Sequence, residues 1–161
     1  MNAPGAAGVA IARAETAETL KFGPGSIRLL LDGDATGGAI SAHRVHLTDG
    51  GLGANPHLHT HTSEAFYVVE GSLDLLAGDQ RSHVTAGDLV VVPPGVAHAF
   101  AASPGYDAEV FLFITPGIER FEFFRQLVRV ADGEGDRQTL LDMQADSDTY
   151  PVDNPTWRTT K

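Results

Sequence analysis

The chain is 161 residues long, enough for one domain and too short for two comfortable ones. Acidic residues outnumber basic ones 21 to 11, and the formal charge of −10 excludes a nucleic-acid surface of clustered Lys and Arg, and with it binding to anionic membrane. Apolar residues make up 42%, so a sizeable core can be buried; with no cysteine, disulfides, thiolate catalysis and Cys-based zinc sites are excluded, and any metal must be held by His and carboxylates.

Residues 1–18 are rich in small side chains. They lack a basic n-region, and Arg13 interrupts their only apolar stretch, so they do not form a good secretory signal. They read as a flexible or partner-docked arm, and the missing cysteines fit a cytoplasmic protein. No run approaches the roughly 18 apolar residues of a membrane span.

From Phe22 to Pro116, short apolar runs such as "SIRLLLD", "EAFYVVEG" and "AEVFLFITP" alternate with Gly, Pro, Asp and Asn. Their lengths and turn spacing predict an all-β sandwich or barrel. "LLAGDQRSHV" reads as a hairpin turning at Gly78-Asp79. No helical stretch separates the runs, which argues against parallel βαβ units. "LVVV" (residues 89–92) and "VFLFI" (residues 110–114) are apolar on both faces, unlike a half-exposed sheet. Their outer face is expected to be covered by the C-terminal helix, the N-terminal arm or another subunit, and a homodimer is the expectation.

The pattern changes after Pro116-Gly117. "IERFEFFRQLVRV" has helical spacing and is expected to pack on the outside of a sheet, with closure of the barrel mouth as the alternative. "RQTLLDMQA" reads as a second short helix, and the remaining tail as extended or loose. The organisation is thus an arm over 1–18, a β-barrel over 19–117, and C-terminal helices with an extended tail over 118–161.

The stretch "PHLHTHTSEAFYVVEG" carries the chemistry. Residues two apart on a strand share a face, about 7 Å apart between Cα atoms, so His57 and His59 can converge on one ion. "THTS" is polar and turn-like, and Glu64 can return a carboxylate from the next strand. In "GDLVVVPPGVAHAF", Pro93-Pro94-Gly95 forces a turn and His98 starts a strand. An inward His98 can add a third imidazole, but only through tertiary folding. His61 with His59 and Glu64 is an alternative set that leaves only two residues to turn; His61 is read instead as a rim or pocket residue.

These segments resemble the two conserved motifs of the cupin superfamily. Gly51-x5-His57-x-His59-x4-Glu64-x6-Gly71 matches the first at every spacing, and Gly87-x5-Pro93-x-Gly95-x2-His98 the second. The family's usual Asn, four residues after that His, is Ala102 here. The wording of "EAFYVVEG" and the trailing helix are most similar to small single-domain cupins of the bacterial quercetin 2,3-dioxygenase-like kind. The resemblance implies a double-stranded β-helix, a jelly-roll-like barrel with a short C-terminal helical extension. It implies one divalent metal held by His57, His59, Glu64 and His98, no organic cofactor, and a dimer often built by exchanging N-terminal strands. Three nitrogens and one oxygen suit Fe, Mn, Ni, Cu, Co or Zn, and disfavour Ca or Mg.

The activity implied is dioxygenation of a flavonol-like or polyphenolic aromatic, with Glu64 as the catalytic base. A non-redox isomerase or polyketide cyclase is the alternative, and a non-catalytic small-molecule-binding cupin another. Phe66, Val68, Val91, Phe100, Phe111 and Phe113 are candidates to line an apolar cavity, although simple core is favoured for most; Phe66, Val68 and Phe100 are kept as pocket residues. His43, His46 and His83 are expected to be ordinary polar or partly buried residues, with His43 and His46 on opposite faces.

Overall fold

The computed structural model describes residues 8–158. Residues 1–7 of the expected arm and 159–161 of the tail lie outside the described residues. The strands in chain order are β1 (Thr19–Phe22), β2 (Gly25–Leu31), β3 (Ser41–Leu47), β4 (Leu52–Leu58), β5 (Ser63–Ala77), β6 (Gln80–Thr85), β7 (Leu89–Val92), β8 (His98–Ala102), β9 (Ala108–Thr115) and β10 (Tyr150–Pro151). Helices α1 (Phe121–Ala131), α2 (Arg137–Asp142) and α3 (Gln144–Ser147) precede β10, and α4 (Pro155–Arg158) follows it. Among the described residues no helix is long and apolar enough to cross a membrane.

The strands form a curled antiparallel half-barrel in the order β1-β2-β3-β9-β5-β8-β4-β10, with β6 and β7 also paired to β5. The fold class read from the sequence is therefore the one observed. The curl centres on β5. Its first half pairs with β7 and β9, and its second half, from Ser72, with β6 and β8. Between them Gly71 takes φ +74°. A Cβ there would sit 1.9 Å from the Asp107 carbonyl oxygen, so the backbone passes where no side chain fits. The predicted hairpin is present: Ala77 pairs with Gln80 across Gly78-Asp79.

The register across β3, β9 and β5 sets which residues face inward. Ser41, Ile114 and Glu64 form one row, His43, Leu112 and Phe66 the next, and Val45, Val110 and Val68 a third; all nine are buried. The alternate row of Arg44, Phe111 and Tyr67 points outward. Val91 pairs with Ala65 on that outer face and Phe113 does the same from β9, so Val91, Phe111 and Phe113 do not line the barrel. Tyr67, Leu89 and Val91 are 43%, 60% and 59% exposed, which leaves an apolar outer patch uncovered within the described chain.

Two expectations about the C-terminal part are corrected. The first concerns α1, expected on the outside of a sheet. Phe123 and Phe124 are buried in the same core cluster as Ile27, Leu29, Val45, Phe66 and Phe100, and Phe124 stacks 4.6 Å from inward-facing His43. The helix therefore covers the concave face. Three phenylalanines in its first turn are too apolar to leave in water, and the barrel interior offers more apolar surface than the sheet exterior. The second concerns the tail, expected to be extended or loose. Tyr150 and Pro151 pair with Leu58 and His57 on β4, Val152 N–H donates to the Pro56 carbonyl (3.1 Å), and Asn154 Nδ2 donates to the Gly78 carbonyl (3.1 Å). The tail is a strap fastened along β4 by main-chain hydrogen bonds, which hydropathy does not report.

Gly71 and Gly78 both have positive φ, but nothing lies within 4 Å of a Cβ built on Gly78. Gly78→Ala should cost about 1 kcal/mol, the conformational penalty alone. Gly71→Ala should cost about 3 kcal/mol or more, because the clash adds to it. Urea denaturation of both variants measures the difference; equal losses would contradict the close approach at Gly71.

Candidate metal centre

Four side chains from three parts of the barrel meet inside it. His57 is on β4 and pairs directly with His98 at the start of β8. His59 lies in the loop after β4, and Glu64 is the second residue of β5, flanked by Val92 and Ile114. One ligand atom from each lies within 4.8 Å of every other. His59, Glu64 and His98 are 2%, 3% and 1% exposed, so water does not solvate them. Glu64 Oε2 is 2.7 Å from His98 Nε2, 3.1 Å from His59 Nε2 and 4.0 Å from His57 Nε2.

The far side of each ring fixes what the near side can do. His57 Nδ1 donates to the Asn55 carbonyl (2.7 Å), His59 Nδ1 to the Asp148 carbonyl (2.6 Å) and His98 Nδ1 to the Val96 carbonyl (2.9 Å). A carbonyl oxygen only accepts, so each Nδ1 carries the hydrogen. In a neutral ring the Nε2 is then a lone pair. Three lone pairs and a carboxylate oxygen aimed at one point repel unless a cation sits among them. Protonating His57 is costly: burial, then the neighbouring His98, push it down to about 3. Burial alone raises the Glu64 carboxyl; only where His59 and His98 carry an Nε2 hydrogen instead of a lone pair do their hydrogen bonds hold it well below the usual carboxylate range. The donor set of three imidazoles and one carboxylate fits a divalent transition ion.

The C-terminal strap completes the site. Asp148, at φ +47° after α3, turns its carboxylate into the loop that carries His59. Oδ1 accepts from Thr60 N (2.8 Å) and Thr60 Oγ1 (2.6 Å), and Oδ2 from His61 N (2.9 Å), Thr62 N (3.0 Å) and Thr62 Oγ1 (2.9 Å). The same residue's carbonyl holds His59 Nδ1. One aspartate thus shapes the loop and orients the ligand. Arg120, just before α1, is also buried, with Nη1 3.9 Å from Glu64 Oε1 and Nη2 donating to Thr149 Oγ1 (3.0 Å).

The predicted pocket residues fall in different places. Phe66 meets His98 edge-on at 5.9 Å and Phe100 at 5.3 Å, so Phe66 packs against a candidate ligand and Phe100 lies behind it. Val68 is fully buried one row further in, beside Val110. His61 is exposed, and the structure does not bring it to the ligands; only its main-chain N–H is engaged, by Asp148. His43, read as an ordinary polar residue, is buried against Phe124 and faces Arg120; burial, then that charge, lower it to about 3. His46 is exposed on the opposite face. His83 is 59% exposed and meets Asp74 at 3.1 Å. Sequence reading missed Asp148, Arg120 and His43. The only signal for Asp148 is indirect: Thr60 and Thr62 offer two hydroxyl donors to an acceptor that the loop does not contain.

Residues 43–115 match the Cupin domain family. The curled antiparallel half-barrel is of the same cupin type. No curated protein matches the sequence. Solved structures similar to it include KdgF from Halomonas sp., at 20% identity and TM-score 0.57 over 68% of this chain and 94% of that one. Pac13 from Streptomyces, a nucleoside dehydratase, aligns at 19% identity and TM-score 0.55 over 68% and 83%. A predicted oxalate decarboxylase from Thermotoga maritima aligns at 18% and 0.57 over 65% and 96%. At these identities the likeness is one of fold.

Asp148→Asn keeps one acceptor and removes the charge. It should destabilise the protein by about 2 kcal/mol and weaken metal binding roughly 10- to 100-fold. The pH dependence has a definite sign. Burial raises the Asp148 carboxyl, but the donors of Thr60, His61 and Thr62 outweigh it and lower it from 3.8 to about 2. A lowered folded value stabilises above the unfolded one, so the contribution is full above about pH 4 and is lost as pH falls toward 2. Metal-free Asp148→Asn should therefore show a flatter stability profile than wild type between pH 4 and 2. Parallel profiles would remove the carboxylate from this role.

Proposed function

We propose that this chain is a metal-dependent cupin enzyme. The observation that carries the reading is the convergence of three Nε2 lone pairs, each fixed by an Nδ1 hydrogen bond, on one buried carboxylate oxygen. A divalent ion held by His57, His59, Glu64 and His98 would supply Lewis acidity, lowering the pKa of a substrate hydroxyl and stabilising its anion. Glu64 Oε2 faces the imidazoles, whereas Oε1 faces Arg120 and is free to take the substrate proton. Phe66, backed by Phe100, excludes water behind His98.

Within that class, dioxygenation of a flavonol-like or polyphenolic aromatic, with dioxygen as co-substrate, follows the wording of the sequence motifs. A non-redox reaction, isomerisation or cyclisation, is favoured by a different observation: a buried guanidinium beside Glu64 stabilises a substrate anion without any change in oxidation state. Oxygen consumption separates the two. Protein as isolated should contain close to one transition ion per chain, and His59→Ala should lose most of it by elemental analysis; equal metal content would refute the site. Oxygen uptake with flavonols, catechols or diketones supports the dioxygenase, and anaerobic turnover supports the second reading.

We also propose a homodimer formed through the outer sheet face, because α1 covers the inner face and leaves Tyr67, Leu89 and Val91 exposed. A cytoplasmic location fits the chain's lack of cysteine. Light scattering at micromolar concentration should give twice the chain mass; a clean monomer would sink the dimer.

A further inference from the structure

The four candidate ligands sit in a closed space. His59, Glu64 and His98 are all buried, so a substrate reaches them only if part of the wall moves. The strands are held by continuous main-chain ladders. The C-terminal cover is held differently. Among the described residues, no main-chain hydrogen bond ties residues 122–147, from the first turn of α1 to the end of α3, to a strand. Apolar side chains dock this stretch: Phe123 and Phe124 lie in the core, and Leu140 and Met143 pack against it. Such contacts are non-directional, and the block can part from the sheet without breaking its own helices.

Both ends of the stretch are fixed. Ahead of it, the Asp32 carboxylate accepts from the N–H groups of Arg120 (2.6 Å) and Phe121 (3.2 Å). Behind it, Asp148 grips the loop that carries His59. Between these anchors, one polar tie joins the described residues of the stretch to the rest of the chain. Arg125 Nε and Nη2 donate to the Glu18 carboxylate at 3.2 and 2.7 Å, and both side chains are partly exposed. An exposed pair of this kind holds weakly and is screened by salt. On the outer side lies a cleft of about 350 Å³, lined by Asp32, Phe123, Arg125, Met143 and Ser147, which come from both ends of the stretch. Phe123 therefore has this cleft on one side and the core on the other. Behind it come Arg120, 5.9 Å from its ring, and then Glu64.

We propose that residues 122–147 form a flap over the metal centre, that Phe123 is its gate, and that substrate enters from this cleft when the flap lifts. This rests on the metal-centre reading. Closed, the flap keeps water from the ligands; open, it joins the cleft to the barrel interior. Its ends stay fastened, and Asp148 stays on the His59 loop, so opening leaves the ligand set assembled.

The chain has no cysteine, so one introduced thiol reports on the interior. Ser41→Cys is nearly isosteric. Ser41 is buried in the inward row of Glu64, two residues from His43, whose ring stacks on Phe124. Full-length Ser41→Cys protein, as purified, is labelled with an aromatic disulfide reagent across a urea series below the unfolding transition. Labelling should run about tenfold or more faster than global unfolding of the same protein allows, and should depend little on urea, because a lifting flap exposes little surface. Adding Glu18→Gln should speed it roughly two- to fivefold. A rate that follows global unfolding at every urea concentration would overturn the flap, as would a rate unmoved by Glu18→Gln. Should Ser41→Cys fail to fold, Val45→Cys, buried in the same cluster as Phe123 and Phe124, is judged by the same two criteria. Elemental analysis of the unsubstituted protein tests the metal centre separately: absence of metal refutes the centre and leaves the labelling criteria for the flap unchanged.

Discussion

An imidazole whose Nδ1–H is held by a carbonyl has only a lone pair left to offer, and three such rings meet inside this barrel. That constraint organises the rest. The carbonyls of Asn55, Val96 and Asp148 come from three segments distant in sequence. All three must be in place before the Nε2 atoms converge. The ligand set is thus a product of the finished fold, and the fold carries the cost of bringing like dipoles together. An ion bound there would return that cost and so link metal binding to folding: whatever stabilises the loop would raise affinity, and whatever binds the site would stabilise the loop.

Asp148 ties the C-terminal segment to the loop that carries His59. A six-residue connection between His57 and Glu64 holds two polar threonines and would be mobile by itself. Five hydrogen bonds to one carboxylate remove that freedom. The residue reaches this position because α1 folds back over the concave face, burying Phe123 and Phe124, and because β10 then pairs with the ligand strand β4. The apolar surface of α1 supplies the driving force, and the strap converts it into placement of His59. The C-terminal segment therefore helps to shape the candidate metal site although it lies beyond the residues that match the cupin family.

This division explains what was legible in the sequence. The strands and the Gly78-Asp79 hairpin follow from local signals, short apolar runs and turn residues, and the four candidate ligands from the spacing of the two motifs. His57 and His59 were read as alternate residues of one strand, although His59 lies in the loop after β4, and His98 was readable only through the spacing that resembles the second cupin motif. The side taken by α1 was not readable, since an amphipathic helix carries the same pattern whichever apolar surface it covers. Asp148 and Arg120 were invisible for another reason. Each acts on a residue more than fifty positions away, through a hydrogen bond or a charge that leaves no periodic trace. His61 misleads in the opposite sense: it stands in the same alternating pattern as His57 and His59, but its backbone N–H is bonded to Asp148 and its ring is left outside.

The interior that results is polar only along one edge. Phe66, Phe100, Phe123 and Phe124 fill the space with apolar rings. Glu64, His43, Arg120 and Ser41 occupy the remaining inward surface, all of them buried. Of these, only the carboxylate and the guanidinium carry charge, since burial keeps His43 neutral near physiological pH. In a low-dielectric space such a pair acts at longer range than it would in water.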